Sequence, residues 1–371
     1  MFDDAAAVAD RIEKFREIGA GLAGLPLASD FRGSWRKVAD SGVLDAASVT
    51  DGVAALEGLG LGGLDQGLVY GLTSQLFGIQ LPLSRLLNDY GRQLLAGTRG
   101  GETLLCHAST EERGGSDMLA TTTEAHRQRD GSYRLTGAKS FVTAAPVADV
   151  ALVLARTDPG RHPFSLSAFL VDLGLPGISR GAPVTKSALP GVPMGALTFA
   201  DVRLGPESLV LGEGSGLTVM NATTTWERAL LLSYALGPIR LVLERTSDWC
   251  RQRRQFDRPM GASHQVAGRV ADIALRVHRS RALLYAIAGR LDRGTPIRHL
   301  TAEAAMVKIA VTEDHVRIVQ EATVLAGVRA FVAGEPTFAD QASALAGLTY
   351  AGPNDLLRVT IARELGLPVG N

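Results

Sequence analysis

A chain of 371 residues is long enough for two or three packed units rather than one small module. Apolar residues make up 46% and charged ones 20%, with Lys+Arg and Asp+Glu balanced at 38 each, so a full core is expected and no charge excess argues for nucleic acid or an anionic membrane. No run reaches the roughly 18 apolar residues of a membrane span, the start Met1-Phe2-Asp3-Asp4 is unlike a secretory signal, and the distant Cys106 and Cys250 suggest neither a disulfide framework nor a thiolate metal site, which reads as cytoplasmic.

Up to about Arg99 the chain is rich in Ala, Leu and Gly, with apolar residues at helical spacing: Val8, Ile12 and Phe15, then Leu76, Ile79, Leu83 and Leu87. Gly58, Gly60, Gly62, Gly63 and Gly67 either break these helices or let them pack closely. From Leu104 the texture changes. Short β-leaning runs at 133–136, 150–154, 167–171 and 197–202 are separated by the turn signals Asp130-Gly131, Asp158-Pro159-Gly160 and Pro176-Gly177. This predicts an antiparallel β domain of about a hundred residues. The glycines of 212–216 mark the next change. Helices are expected at roughly 216–250, 262–293, 299–327 and 353–365. Pro353 and Asp355 suit the start of the last one, while Gly366 and Pro368 suit its end.

The division is therefore 1–103 helical, 104–211 β and 212–371 helical, an α+β order rather than the alternation of a doubly wound sheet. No G-x-G-x-x-G follows a strand, no G-x-S-x-G elbow or P-loop is present, and the seven His show no zinc-binding helix pattern.

Four segments in order carry more information. They are Thr110-Glu111-Glu112-Arg113-Gly114-Gly115-Ser116-Asp117, Leu135-Thr136-Gly137-Ala138-Lys139-Ser140-Phe141-Val142-Thr143, Arg253-Arg254-Gln255-Phe256, and Tyr350-Ala351-Gly352-Pro353-Asn354-Asp355-Leu356-Leu357-Arg358 with the helix after it. Each alone has an ordinary explanation as turn, core or helix-end chemistry. As an ordered set they resemble the acyl-CoA dehydrogenase family over nearly the whole chain. The resemblance implies a helical domain, a β domain and a C-terminal four-helix bundle, with FAD as cofactor. It implies that Thr110 and Thr143 bond to the flavin ring and that Phe141 packs beside it. Gly115 and Ser116 would line the pyrophosphate and thioester region. Arg253 would reach the FAD pyrophosphate of a neighbouring subunit, near Phe256 and with His264 or Gln265 following, which implies a homodimer or homotetramer. An aromatic wall with a few hydrogen-bond donors is what a flat tricycle with one polar edge requires.

The sequence also departs from the family pattern. The usual catalytic Glu after the Tyr of the fourth motif is Ala351 here, which cannot take a proton. Family members that place this Glu elsewhere have it before an Arg on the first long helix of the last domain, and Trp226-Glu227-Arg228 stands there. Glu227 is the expected base, with Arg228 beside it; Ser116, Thr225, Tyr350, Ala351 and Gly352 are expected around the substrate. The family's Q-x-x-G-G is incomplete in 323–328, and Pro353, Asp355 and His264 replace its usual polar residues. The leading expectation is a dehydrogenase of an acyl thioester held on CoA or on a carrier protein, in a specialised biosynthetic pathway. Its flavin would be reoxidised by an electron-transfer flavoprotein or by oxygen. A flavin monooxygenase of the same superfamily and a degenerate non-catalytic member are the alternatives.

Overall fold

The computed structural model describes residues 2–84, 86–332 and 340–369. The N-terminal part is helical: α1 (Phe2–Gly21), α2 (Phe31–Ala39), α3 (Val49–Leu61) and α4 (Gln66–Thr73), then a π-helix over Ser74–Gln80, α5 (Leu81–Leu83) and α6 (Asp89–Leu94). Side-chain caps start several of them: Asp30, Ser48, Asp65 and Asn88 each accept an early backbone N–H of the adjoining helix. Of the apolar series expected in the later helices, Leu87 falls outside any helix, because α5 ends at Leu83.

The glycines of 58–63 resolve into two roles. A methyl at Gly58 would lie 2.4 Å from the Ile12 carbonyl, and one at Gly62 2.3 Å from that of Arg16, so α1 and α3 approach backbone to backbone. Gly63, with φ +88°, turns the chain out of α3.

The middle of the chain forms strands β1 (Leu105–Ala108), β2 (Glu124–Arg127), β3 (Tyr133–Thr143), β4 (Val150–Arg156), β5 (Leu166–Asp172), β6 (Ile178–Arg180) and β7 (Met194–Leu204). Among the described residues they make one sheet in the order β1-β4-β2-β3-β7-β6, with β5 on β4. The expected antiparallel pairing holds for β2–β3, β3–β7, β4–β5 and β6–β7. β1 runs parallel to β4, as does the single β2–β4 link. β3 extends well beyond its sequence signal, and its register against β7 slips between Leu135 and Gly137 and again between Lys139 and Val142. Such bulges turn side chains to a new direction.

The last part holds α7 (Gly216–Leu230), α8 (Ser233–Gln252), the small hairpin β8 (Arg254–Gln255) and β9 (Arg258–Pro259), α9 (His264–Asp292), α10 (Thr301–Ala326), α11 (Gln341–Ala346) and α12 (Asn354–Glu364). The single helix expected at 216–250 is split at Leu231–Leu232, where the Ser233 hydroxyl takes the Leu230 carbonyl at 2.6 Å in competition with the helix ladder. Pro353 stands one residue earlier than expected, as the N-cap of α12, and Gly366, with φ +79°, closes that helix. α7–α10 pack on one another, and α3 packs on α8 and α9. Among the described residues no helix is long and apolar enough to cross a membrane.

Candidate active site

Where α7 meets the sheet and the fourth motif, the fold encloses a cavity of about 1130 Å³. Thr110, Gly115, Ser116, Phe141, Thr143, Thr225, Glu227, Arg228, Tyr350, Ala351 and Gly352, separated by up to most of the chain, all line it. Size and mixed polarity suit a cofactor-sized ligand.

One wall comes from the sheet. Phe141 sits in the second β3 bulge with φ +56°, is 53% exposed and lines the cavity. An aromatic residue held in left-handed backbone is costly, and its presence marks a constraint other than packing. Gly115 leaves room for Thr110, since a methyl there would lie 2.7 Å from the Thr110 hydroxyl. The first two motifs are joined by an ion pair that sequence spacing did not reveal. Lys139, fully buried, donates to Glu111 at 2.9 Å. Glu111 also accepts the backbone N–H groups of Thr122 and Thr123 at 2.8 and 2.9 Å. Burial alone would raise the Glu111 carboxyl, but the hydrogen bonds from Thr122, Lys139 and Thr123 and the Lys139 charge hold it down at about 2.

The opposite wall carries Glu227. Burial pushes its carboxyl up to about 7, against the Arg228 charge and a hydrogen bond from Ser74, which both pull it down. Arg228 is not free to clamp that carboxylate fully, because its Nε donates to the Ala351 carbonyl at 3.0 Å. Lys308 donates to the Gly352 carbonyl at 3.0 Å and to Asn354 Oδ1 at 2.7 Å. Two cations thus pin a turn in which Ala351 and Gly352 have φ of +52° and +96°. Burial, then the Arg228 charge, lowers the Lys308 ammonium to about 8, with Glu313 opposing.

Sequence reasoning missed several residues here. Tyr70 packs edge-on to both Tyr234 and Tyr350 at 5.3 Å, and the Tyr234 and Tyr350 hydroxyls share a 2.7 Å hydrogen bond. Tyr70 lines the cavity together with Thr143, and burial keeps its phenol protonated. His107 of β1 reaches the Thr223 hydroxyl at 3.1 Å and is lowered to about 4 by burial, so it lines the cavity as a neutral ring. Unlike Tyr350, the residues Tyr70, Tyr234 and His107 were carried by no motif; only their side-by-side burial reveals them.

Four expected residues lie elsewhere. Arg253, Phe256, His264 and Gln265 are exposed around the β8–β9 hairpin and the start of α9, and none lines this cavity. Phe256 is 92% exposed and has φ +50°. Arg253 rests its guanidinium over Trp249, 5.8 Å from the ring centre. Among the described residues no group of His, Cys, Asp or Glu is arranged to hold a metal ion.

Comparisons with known proteins point to one family. The family model for the acyl-CoA dehydrogenase middle domain matches residues 106–202, and that for the C-terminal domain matches 214–366. The chain is 32% identical to an L-prolyl-[peptidyl-carrier protein] dehydrogenase of Pseudomonas fluorescens, over 94% of this chain and 88% of that one. Among solved structures it superposes on the FAD complex of PigA with TM-score 0.90 and 26% identity, covering 98% of both chains. It superposes on the prolyl acyl carrier protein oxidase AnaB with TM-score 0.88 and 26% identity, covering 95% of this chain and 98% of that one.

Proposed function

Because the chain belongs to the acyl-CoA dehydrogenase family, we propose that it is an FAD-dependent oxidoreductase that desaturates a small aminoacyl thioester, prolyl or similar, carried on a peptidyl-carrier protein, with Glu227 as the base. The observation that carries this reading is the convergence of a raised carboxyl, Glu227, and an exposed aromatic, Phe141, on one cavity. The residues present fit a flavin. Phe141 offers a flat apolar face, Thr110 and Thr143 offer hydroxyls, and Gly115 leaves space beside Thr110. Bound there, the flavin would accept the hydride that leaves the β-carbon of the thioester.

Everything else falls to the chain. Glu227, deprotonated above about pH 7, takes the proton from the α-carbon as the carbon–carbon double bond forms. Arg228 stays cationic and offsets the charge of the carboxylate while anchoring Ala351. Ala351 leaves open the place where the commoner family base would stand. The Tyr70, Tyr234 and Tyr350 cluster beside Glu227 bounds the acyl end with buried phenols, which favours a compact acyl group over a long chain. Identity to a prolyl-carrier enzyme over nearly the whole length supports a carrier protein rather than CoA. The exposed Arg253, Phe256, His264 and Gln265 suit a dimer or tetramer in which they face a neighbour's cofactor. An electron-transfer flavoprotein or oxygen would serve as the final electron acceptor.

Anaerobic mixing with a thioester panel tests this. Prolyl-carrier protein is expected to bleach the visible flavin band far faster than prolyl-CoA or butyryl-CoA, and Glu227→Gln is expected to abolish bleaching. Reduction only by an external reductase, with subsequent hydroxylation of a substrate, would establish the oxygenase reading instead.

A further inference from the structure

Between α4 and α5 the chain winds as a π-helix, Ser74–Gln80, with the Leu81 N–H bonding the Leu76 carbonyl five residues back. The sequence supplies the reason. Pro82 has no N–H for the Gly78 carbonyl, and in an α-helix its ring would crowd that carbonyl, so the turn opens. π-turns inserted among α-helices are frequent at functional sites.

This turn packs against α7. A methyl added at Gly78 would lie 2.7 Å from Glu227 Oε1 and 3.0 Å from its Cγ, well inside contact distance. Ser74, at the start of the same turn, lines the cavity with Glu227, and its hydroxyl draws the Glu227 carboxyl down against the effect of burial. The other titratable groups acting on Glu227 are Arg228 from its own helix and Tyr70 from α4. His107 of β1 lines the cavity as a neutral ring, and Lys308 of α10 acts on Arg228.

We propose that the π-turn is the seat of the catalytic base: Gly78 vacates the volume into which the Glu227 side chain folds, and Ser74 sets the direction of its carboxylate. Both are positioning residues, and the proposal rests on Glu227 being the base.

The test uses the whole chain with flavin bound, as wild type, Ser74→Ala, Ser74→Thr, Gly78→Ala and Glu227→Gln. Two quantities are read: the pH profiles of kcat and KM, and the ionisation of Glu227 from the pH dependence of Tm relative to Glu227→Gln. Ser74→Ala is expected to raise that ionisation, and the ascending limb of kcat with it, by about one pH unit at little cost in KM. Ser74→Thr is expected to restore both. Gly78→Ala is expected to lower the plateau kcat by about 10²-fold while flavin stays bound. An unshifted ionisation in Ser74→Ala, or wild-type kcat in Gly78→Ala, overturns the proposal. If Gly78→Ala does not fold, the Ser74 pair decides alone. Turnover retained by Glu227→Gln would instead remove the base assignment itself, a different pattern from failure of the two neighbours.

Discussion

At the scale of single residues, the proposed base is Glu227, while Ala351 on the same cavity offers no carboxylate. A carboxyl raised to about 7 is half ionised near neutral pH, where a base is both available and strong enough to be useful. The ascending limb of kcat is expected near pH 7, and Glu227→Gln is expected to lower kcat on the order of 10²–10⁴-fold. The same shift has a consequence for stability. Because the folded-state value lies above the ordinary 4.5, the native state holds the proton longer than the unfolded chain. Stability from this site is whole below about pH 4.5 and is lost as pH rises through about 7. Gln copies the protonated acid, so Glu227→Gln is expected to have the higher Tm at pH 8 and a similar one at pH 5. A Tm difference that is the same at both pH values would show that Glu227 is not strained by burial. Glu227 and its Arg were legible because their type and order stand in the sequence; Gly78 and Ser74 were not, since nothing local ties them to α7.

At the scale of elements, β3 shows how a motif becomes a wall. Its sequence alternates only over its first residues, so the strand signal stopped at Thr136, whereas the structure carries it to Thr143 through two bulges. The strands β1, β2 and β6 have three or four residues each and left no signal for the same reason: short runs containing His, Glu or Arg do not stand out. The Glu111–Lys139 pair joins the loop bearing Thr110 and Gly115 to the strand bearing Phe141 and Thr143. Lys139→Met leaves the partly buried Glu111 carboxylate without its counter-charge and is expected to cost about 3 kcal/mol in urea unfolding, together with weaker flavin retention. A loss under about 1 kcal/mol would mean that Thr122 and Thr123 suffice to hold Glu111.

At the scale of the molecule, the helices before and after the sheet are clamped directly. Glu57 of α3, with no exposed surface, accepts Arg240 of α8 and Arg281 of α9 at 2.7 Å each, and the Tyr285 hydroxyl at 2.7 Å. Around it the glycines permit the approach: a methyl at Gly237 would lie 2.4 Å from the Glu57 carbonyl. Removing one partner of a buried ionic network strands the rest, so Glu57→Ala is expected to cost about 3–5 kcal/mol. The loss should appear in calorimetry as one lowered transition. A separate early transition would show that the terminal helices unfold apart from the remainder.

What the amino-acid order determined unaided was the sequence of textures: helix, strand, helix, with turn residues at the joints, because periodicity and Gly or Pro punctuation are local properties. It also determined which chemical groups were at hand, including a carboxylate at 227 and none at 351. Only the tertiary structure decided that Ser74 and His107 share a cavity with Glu227, that Gly78 gives that carboxylate its room, that Glu111 answers Lys139, and that Arg253 and Phe256 face outward. Those outcomes depend on close packing between segments far apart along the chain. Burial, which sets the Glu227 ionisation, comes into being only when such segments meet.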